Sequence, residues 1–512
     1  MLFGDTIRSV PLLLIALAVG GVLTSAFKKV RENWKIHKLG GRAKSVPCRQ
    51  FLFGLDIVAR AFVAYKANKN MELWKSWFKV AGSHTIEANI IGMRAILTED
   101  PENIKAVLAS QFHDYGKGEP FRRDWKPFLG DSIFTTDGQL WHASRQLIRP
   151  QFIKNRVSDL DIFERNVSHM LEYIPGDGAT VDISDLFYRF ALDTATDFLL
   201  GHSVDSLGSP QVEFARAFDD IQKHMSIKSR VGPLSWIFPE RKYKRDLKVL
   251  NSFVEPYVEQ TLEMRPEELK SRNEKSYNFL HALAEFTRDK QMLRDQIVAV
   301  LLAARETTAV TLSWTLYELA RHPELVQKLR EEILERLGPG GKPTYTDLKV
   351  MKYSQRVINE TLRLYPAVVV PFNVRMSLKD TNLPRGGGPD GLDPVGMPKH
   401  TIFAYSTLTM QRREDLFGPD VEKFDPDRWE RWAPKSWQYI PFNGGPRICV
   451  GQEFALTEML YVLVRIFQRF GAVESRQTEE QYQSCNIVIS PGTGVPVSFK
   501  PARFPEPEIT TR

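Results

Sequence analysis

A mainly α fold with a small β portion is predicted by three features of the sequence. Helical patterns dominate the chain. One of them, from about Met292 to Ala320, is too long and too apolar for an ordinary surface helix. Strand-type stretches are short and few, chiefly "HTIEANIIGMRAILT" and "NVRMSLKDTNLP".

Taken from the N-terminus, the first element is a run of nineteen uncharged residues, Ser9 to Phe27, containing "PLLLIALAVGGVL". It is just long enough to cross a bilayer core as a helix. Lys28, Lys29, Arg31, Lys35, Lys38, Arg42 and Lys44 follow at once, and positive flanks stay cytosolic. The expectation is an uncleaved anchor at 1–28, a basic linker at 29–47 and one large domain at 48–512, since no repeat or long low-complexity segment interrupts the remainder. The three cysteines, Cys48, Cys449 and Cys485, are too few and scattered for a disulfide framework, which places the body in a reducing compartment. The net charge of +7 is dispersed and accompanied by no nucleic-acid motif, so a membrane surface and an acidic protein partner are expected instead.

Within the domain, "DPENIKAVLAS" predicts a helix capped by Asp100 with Pro101 at its first position. "HPELVQKLREEILERL" predicts an amphipathic helix with Glu331 and Glu335 on its charged face. "LGPGGKP" and "PRGGGPDGLDPVGMPKH" are expected to be turn-rich breaks. In "GPLSWIFPERKYKR", Leu234, Trp236, Ile237 and Phe238 stand beside Arg241, Lys242, Lys244 and Arg245, a pattern suited to dipping into lipid headgroups.

Four stretches carry chemistry. In "FNGGPRICVGQEFAL", Phe442, Gly445, Arg447, Cys449 and Gly451 fall at F-x-x-G-x-R-x-C-x-G. A cysteine in a loop at a helix N-terminus, two residues from an arginine, is placed to be a stabilised thiolate, either a metal ligand or a nucleophile. In "ARETT" within the long helix, Glu306 precedes Thr307 and Thr308. Threonines there can bond back to a carbonyl of the preceding turn and make room for a polar ligand. "NETLRLYP" puts Glu360 and Arg363 on one helical face, and "FDPDRW" supplies Arg428, whose guanidinium can complete a network with them.

Together and in this order, these residues resemble the cytochrome P450 superfamily of haem-thiolate monooxygenases, over essentially the whole chain. The resemblance implies haem b with Cys449 as axial thiolate, which favours O–O cleavage. It implies that Phe442 packs beneath the haem, that Arg447, Arg375, Trp141 and Arg145 bind its propionates, and that Glu306 and Thr307 handle dioxygen and its protons. Glu360, Arg363 and Arg428 then hold the core behind the cysteine loop. Phe121, Phe134, Ala303, Val369 and Val370 are implied to line the substrate pocket, with Trp125 and Phe128 on the same roof loop as Phe121 and Phe134. Electrons are implied to come from NADPH through the cytochrome P450 reductase, with cytochrome b5 as a further donor. Arg145, Arg149, Lys154, Arg156, Arg465 and Arg469 would form the basic face for it.

The blocks "TNLPRGGGPDGLDPVGMPK", "MQRREDLFGPD" and "PFNGGPRICVGQEFALTEMLYVLVR" are similar to the fungal alkane and fatty-acid hydroxylases. That implies an endoplasmic-reticulum enzyme acting on a lipophilic substrate with a long alkyl or polyketide chain, the terminal carbon being one candidate position. Three departures bear on this. Ala304 stands where the superfamily usually has glycine. "YPAVVVPFNVR" is about two residues longer than the alkane-hydroxylase pattern, which keeps a secondary-metabolite tailoring oxidase as the alternative. Ala303 occupies the place of a haem-esterified glutamate in some relatives, so no such crosslink is expected. A haem-thiolate isomerase and a non-enzymatic haem or lipid carrier are the other readings; Glu306 and Thr307 argue for dioxygen activation against the isomerase.

Overall fold

The computed structural model describes residues 19–20, 23–24, 26–47, 54–152, 160–209, 213–271, 278–368 and 373–502. The helices that position the site are α1 (Leu55–Lys66), α2 (Gly118–Leu129), α3 (Gly138–Ile148), α4 (Ile183–Leu200), α5 (Glu213–Val231), α6 (Arg241–Glu263), α7 (Lys290–Leu319), α8 (Pro323–Leu337), α9 (Lys352–Leu364) and α10 (Gln452–Arg469). The strands are β1 (Lys44–Ser45), β2 (Thr85–Ile90), β3 (Met93–Thr98), β4 (Tyr115–Gly116), β5 (Thr180–Asp182), β6 (Val374–Ser377), β7 (Thr381–Gly387), β8 (Asp393–Met397), β9 (Ile402–Tyr405), β10 (Phe470–Ser475), β11 (Gln483–Cys485), β12 (Ile489–Pro491) and β13 (Pro496–Pro501). Helix dominates, as expected.

Helix α7 is the axis of the molecule. The Asp289 side chain accepts from the Met292 N–H and so caps one of its free amide ends. Ala309, Leu312, Leu316 and Leu319 pack into one large core with α4, α8, α9 and α10. Leu293, Ile297, Val298, Leu301 and Val310 pack into a second core with α5 and α6. Being flanked on both sides, the helix is apolar nearly all round. Among the described residues it alone is long and apolar enough to cross a membrane, yet it is buried in protein.

The largest sheet runs β1-β2-β3-β9-β6-β4. It joins the N-terminal hairpin β2–β3 to strands from the second half of the chain, with β3 and β9 parallel and β6 and β9 antiparallel. The register pairs Arg375 with Phe403, which fixes where Arg375 leaves the sheet. An isolated bridge between Val368 and Val488 closes the wall below it.

Several expectations are refined. Asp100 caps its helix by accepting from Glu102 N and Asn103 N. The turn-rich stretch after Leu383 is not simply a break, because it contains most of an antiparallel ribbon, β7 with β8. The segment with Phe121 is helix α2 rather than a loop. In "GPLSWIFPERKYKR" a 3-10 turn (Gly232–Ile237) leads into α6, and Trp236 is 79% exposed. Residues 1–28 lie mostly outside the described residues. The helix from 26 to 39 exposes Phe27, Val30 and Trp34.

Candidate active site

Cys449 sits at the end of a tightly folded loop. The Cys449 N–H donates to the Phe442 carbonyl over 3.0 Å, and the Ile448 N–H to the Gly445 carbonyl over 3.0 Å. Gly445 has φ +67°, and a Cβ there would collide with the Leu108 carbonyl. Only glycine lets the loop pass so close. Helix α10 starts three residues after the cysteine, at Gln452.

The loop faces a cavity of about 250 Å³ lined mainly by apolar side chains, among them Phe134, Val300, Ala303, Ala304, Ala367, Val368, Phe442 and Val488. The Cys449 surface is accessible from this cavity, although protein surrounds it on every side. Burial pushes its thiol up, opposed by the Gly451 N–H and the Arg145 charge.

Cations gather at one end. Arg447, on the cysteine loop, donates to the Thr136 carbonyl (3.0 Å) and to Asp137 Oδ1 (2.6 Å), and its guanidinium lies 4.8 Å from the Trp141 ring centre. Arg375 reaches the same place from β6 and Arg145 from α3, where Arg145 donates to the Ile448 carbonyl over 2.9 Å. Lys117 completes the group. Burial, reinforced by the Arg375 charge and opposed by Asp137, holds the Arg447 guanidinium down at about 10. Burial together with Arg375 and Arg447 drives Lys117 well below its usual range. The Arg447 Nε is buried with no hydrogen-bond partner among the described residues. Packing like charges in a low-dielectric space is unfavourable unless an anion joins them. A flat apolar group bearing carboxylates at one edge, held by a sulfur from below, fits this chamber. Haem is such a group.

On the α7 wall of the cavity, the Thr307 hydroxyl donates to the Ala303 carbonyl over 2.6 Å, and that of Thr311 to the Thr307 carbonyl over 2.8 Å. Both bonds loosen the helical ladder where α7 passes the cavity. Glu306 borders the cavity, but its carboxylate is committed. Oε1 accepts from Arg305 Nη1 (2.7 Å) and from Gln222 Nε2 (3.0 Å) on α5, and Arg305 also pairs with Asp219. Burial pushes the Glu306 carboxyl up, and Arg305 opposes it.

Behind the cysteine loop, Arg363 Nε and Nη2 donate to Glu360 Oε2 and Oε1 over 2.9 and 2.8 Å. Arg428 Nε reaches Oε1 at 3.3 Å, while the Trp429 indole (3.0 Å) and the Asp425 N–H (3.0 Å) satisfy the rest of the carboxylate. Arg363 and Arg428 spend their other donors on carbonyls of Gln411, Val421, Lys423, Phe417 and Asp420.

The structure thus brings together Cys449, Phe442, Arg447, Trp141, Arg145, Arg375, Glu306, Thr307, Ala303 and Phe134 around one cavity, and Glu360, Arg363 and Arg428 behind it. Phe121 is a correction. It stacks on Trp125 (5.5 Å between ring centres) beneath the Lys117 ammonium and does not line the cavity, because α2 turns it away. Trp125 and Phe128 are buried in the second core rather than in a roof. Val369 and Val370 lie outside the described residues. On the expected basic face, Arg149 and Arg469 are exposed, Arg465 is committed to Glu164 (3.1 Å), and Lys154 and Arg156 lie outside the described residues. Sequence reasoning passed over Lys117, Gln222 and Glu458. Only Glu458 left a signal, as a lone acid in the apolar run "FALTEMLYVLV".

Comparison with known proteins agrees with the geometry. The family model described as Cytochrome P450 matches residues 63–495. The chain is 47% identical to the cytochrome P450 monooxygenase pvhE of Talaromyces variabilis, over 94% of each chain. It is 41% identical to the cytochrome P450 monooxygenase himC of Aspergillus japonicus, over 89% of this chain and 83% of that one. It is 36% identical to cytochrome P450 52A1 of Candida tropicalis, over 92% and 90%. A sulfur beneath a chamber made for a flat dianion, in a chain matched to this family from residue 63 to 495, leads to one conclusion: the protein belongs to the cytochrome P450 family and is a haem-thiolate monooxygenase.

Proposed function

We propose that the enzyme hydroxylates a lipophilic substrate carrying a long alkyl or polyketide chain, using dioxygen and electrons from NADPH delivered by a membrane-bound reductase. The observation that carries this reading is the chamber itself, which Cys449 and Thr307 both line and whose walls are mainly apolar apart from the cations at one end and the acids and threonines of α7 and α10. Haem held there supplies the oxidising power for insertion of one oxygen atom. The residues of the chain do the rest. Arg145, Arg375, Arg447 and Trp141 hold the carboxylate edge, Phe442 keeps water from the sulfur, and Glu360, Arg363 and Arg428 keep the loop rigid. Thr307 would offer its hydroxyl to the reacting oxygen on leaving the Ala303 carbonyl. Glu306 moves protons once it leaves Arg305 and Gln222.

The residue set 1–28 acts as an uncleaved membrane anchor, 29–47 as a basic linker and 48–512 as the catalytic domain on the cytosolic side of the endoplasmic reticulum. Supporting this, Phe27, Val30, Trp34 and Trp236 present large apolar surfaces to solvent. Among relatives, names of the 52A series and names of individual monooxygenases both occur, so a tailoring step in secondary metabolism stands beside alkane or fatty-acid oxidation. The test is turnover of alkanes, fatty acids and polyketide alcohols by the enzyme reconstituted with reductase under isotopically labelled dioxygen. One labelled oxygen in a product is expected. NADPH-independent conversion without label would instead establish an isomerase.

A further inference from the structure

Thr307, Thr308 and Thr311 follow one another along the cavity side of α7, and two of them behave alike. Thr307 and Thr311 each give their hydroxyl proton to a carbonyl four residues back. Thr308 turns instead to another helix. Its Oγ1 lies 3.1 Å from Oε2 of Glu458, nine residues beyond Cys449 on α10. Both residues border the cavity and both are buried, Glu458 to 2% exposure.

No lysine, arginine or histidine lies within ion-pair distance of Glu458 among the described residues. A buried carboxyl with no cation beside it favours its neutral form. Burial indeed raises Glu458 to about 8, with only the Thr308 hydroxyl opposing. The direction of the hydrogen bond depends on this. An ionised carboxylate can only accept, and it would hold the Thr308 proton. A neutral acid has an O–H of its own to give.

We propose that Glu458 is a positioning residue in its neutral form, donating its carboxyl O–H to Thr308 Oγ1 and leaving the Thr308 hydroxyl proton to be offered to the cavity. Thr308 then supplies a second hydroxyl donor beside Thr307, whose own proton is engaged by Ala303. No bond is made or broken in this arrangement. The functional part rests on the reading of the cavity as the place where dioxygen reacts; the protonation of Glu458 does not.

The experiment uses haem-loaded enzyme at neutral pH and four proteins: wild type, Glu458→Gln, Glu458→Met and Thr308→Val. Infrared difference spectra of wild type against Glu458→Gln are expected to show the carbonyl stretch of a protonated carboxylic acid. The band should shift in deuterium oxide and move again in Thr308→Val, where its acceptor is gone. In turnover with reductase, product formed per NADPH consumed should fall several-fold in Glu458→Met and Thr308→Val at unchanged haem content, and Glu458→Gln, whose amide can still donate, should restore most of the loss. Absence of the protonated-carboxyl band in folded wild type would overturn the proposal. So would a band indifferent to Thr308→Val, or full coupling in Glu458→Met. Failure of turnover in all four proteins, with the infrared band intact, would instead count against the reading of the cavity.

Discussion

Arg363 grips Glu360 through two hydrogen bonds of 2.9 and 2.8 Å, and neither side chain has any solvent exposure. The pair is held from three sides by Arg428, Trp429 and the carbonyls of the segment from Val421 to Lys423. Removing one partner leaves the other's charge buried without its main counterion, at about 3–5 kcal/mol. Arg363→Met and Glu360→Leu are therefore expected to yield little folded protein and little bound haem. Expression with quantitation of haem per polypeptide checks this; normal haem content in either variant would contradict it.

The cluster around Arg447 predicts a separate effect on haem retention. Arg447→Leu removes one cation from the group and leaves Asp137 without its 2.6 Å partner. The fold should persist, because the Glu360 network is untouched. Haem transfer to an acceptor apoprotein should be faster, by roughly 10-fold for each 1.4 kcal/mol of binding lost.

Thr307 borders the cavity while the Glu360 network holds the core, so chemistry and stability should separate. Thr307→Ala is expected to keep wild-type haem content and melting temperature but to lose product formation relative to NADPH consumption, by roughly 10²-fold. A parallel loss of melting temperature would assign Thr307 to the core instead.

Glu458 makes stability depend on pH in a direction opposite to most carboxylates. Its value is about 8 in the fold against 4.5 for an ordinary glutamate, so the folded state binds more protons between these limits. The stabilisation is fully present below about 4.5 and is lost as pH rises through 8. Comparing urea midpoints from pH 6 to 9, the wild type should fall relative to Glu458→Gln, which lacks the ionisation. A constant difference would contradict the buried acid.

Arg149, just beyond α3, and Arg469, the last residue of α10, are exposed, whereas Arg465 is already neutralised by Glu164. Reduction by the reductase should slow as ionic strength rises, since exposed charges are screened within about 8–10 Å. Double charge reversal at Arg149 and Arg469 should slow it at low salt. Reversal at Arg465 would act mainly on folding, through the loss of Glu164.

The cysteine loop and the Glu360–Arg363 pair were legible in sequence because each depends on local spacing. F-x-x-G-x-R-x-C-x-G fixes a turn, and i,i+3 fixes a helical face. The commitment of Glu306 to Gln222 was not, because α5 is far away in the chain and nothing in "ARETT" names its neighbours. Phe121 was placed in the pocket because an aromatic in a presumed loop has no face, whereas α2 gives it one that points elsewhere. The ribbon β7–β8 hid among glycines and prolines, which a two-stranded ribbon with free edges tolerates and a central strand does not. Glu458 was visible as an acid among apolar residues, but its partner lies 150 positions earlier.

The central claim is that Cys449 is the ligand of a haem iron. The reduced, carbon monoxide-bound difference spectrum of wild type and Cys449→Ser tests it most directly. A long-wavelength Soret band in wild type, absent in the variant, is the predicted result. A band of the same position in both proteins, or none in folded and haem-replete wild type, would contradict it.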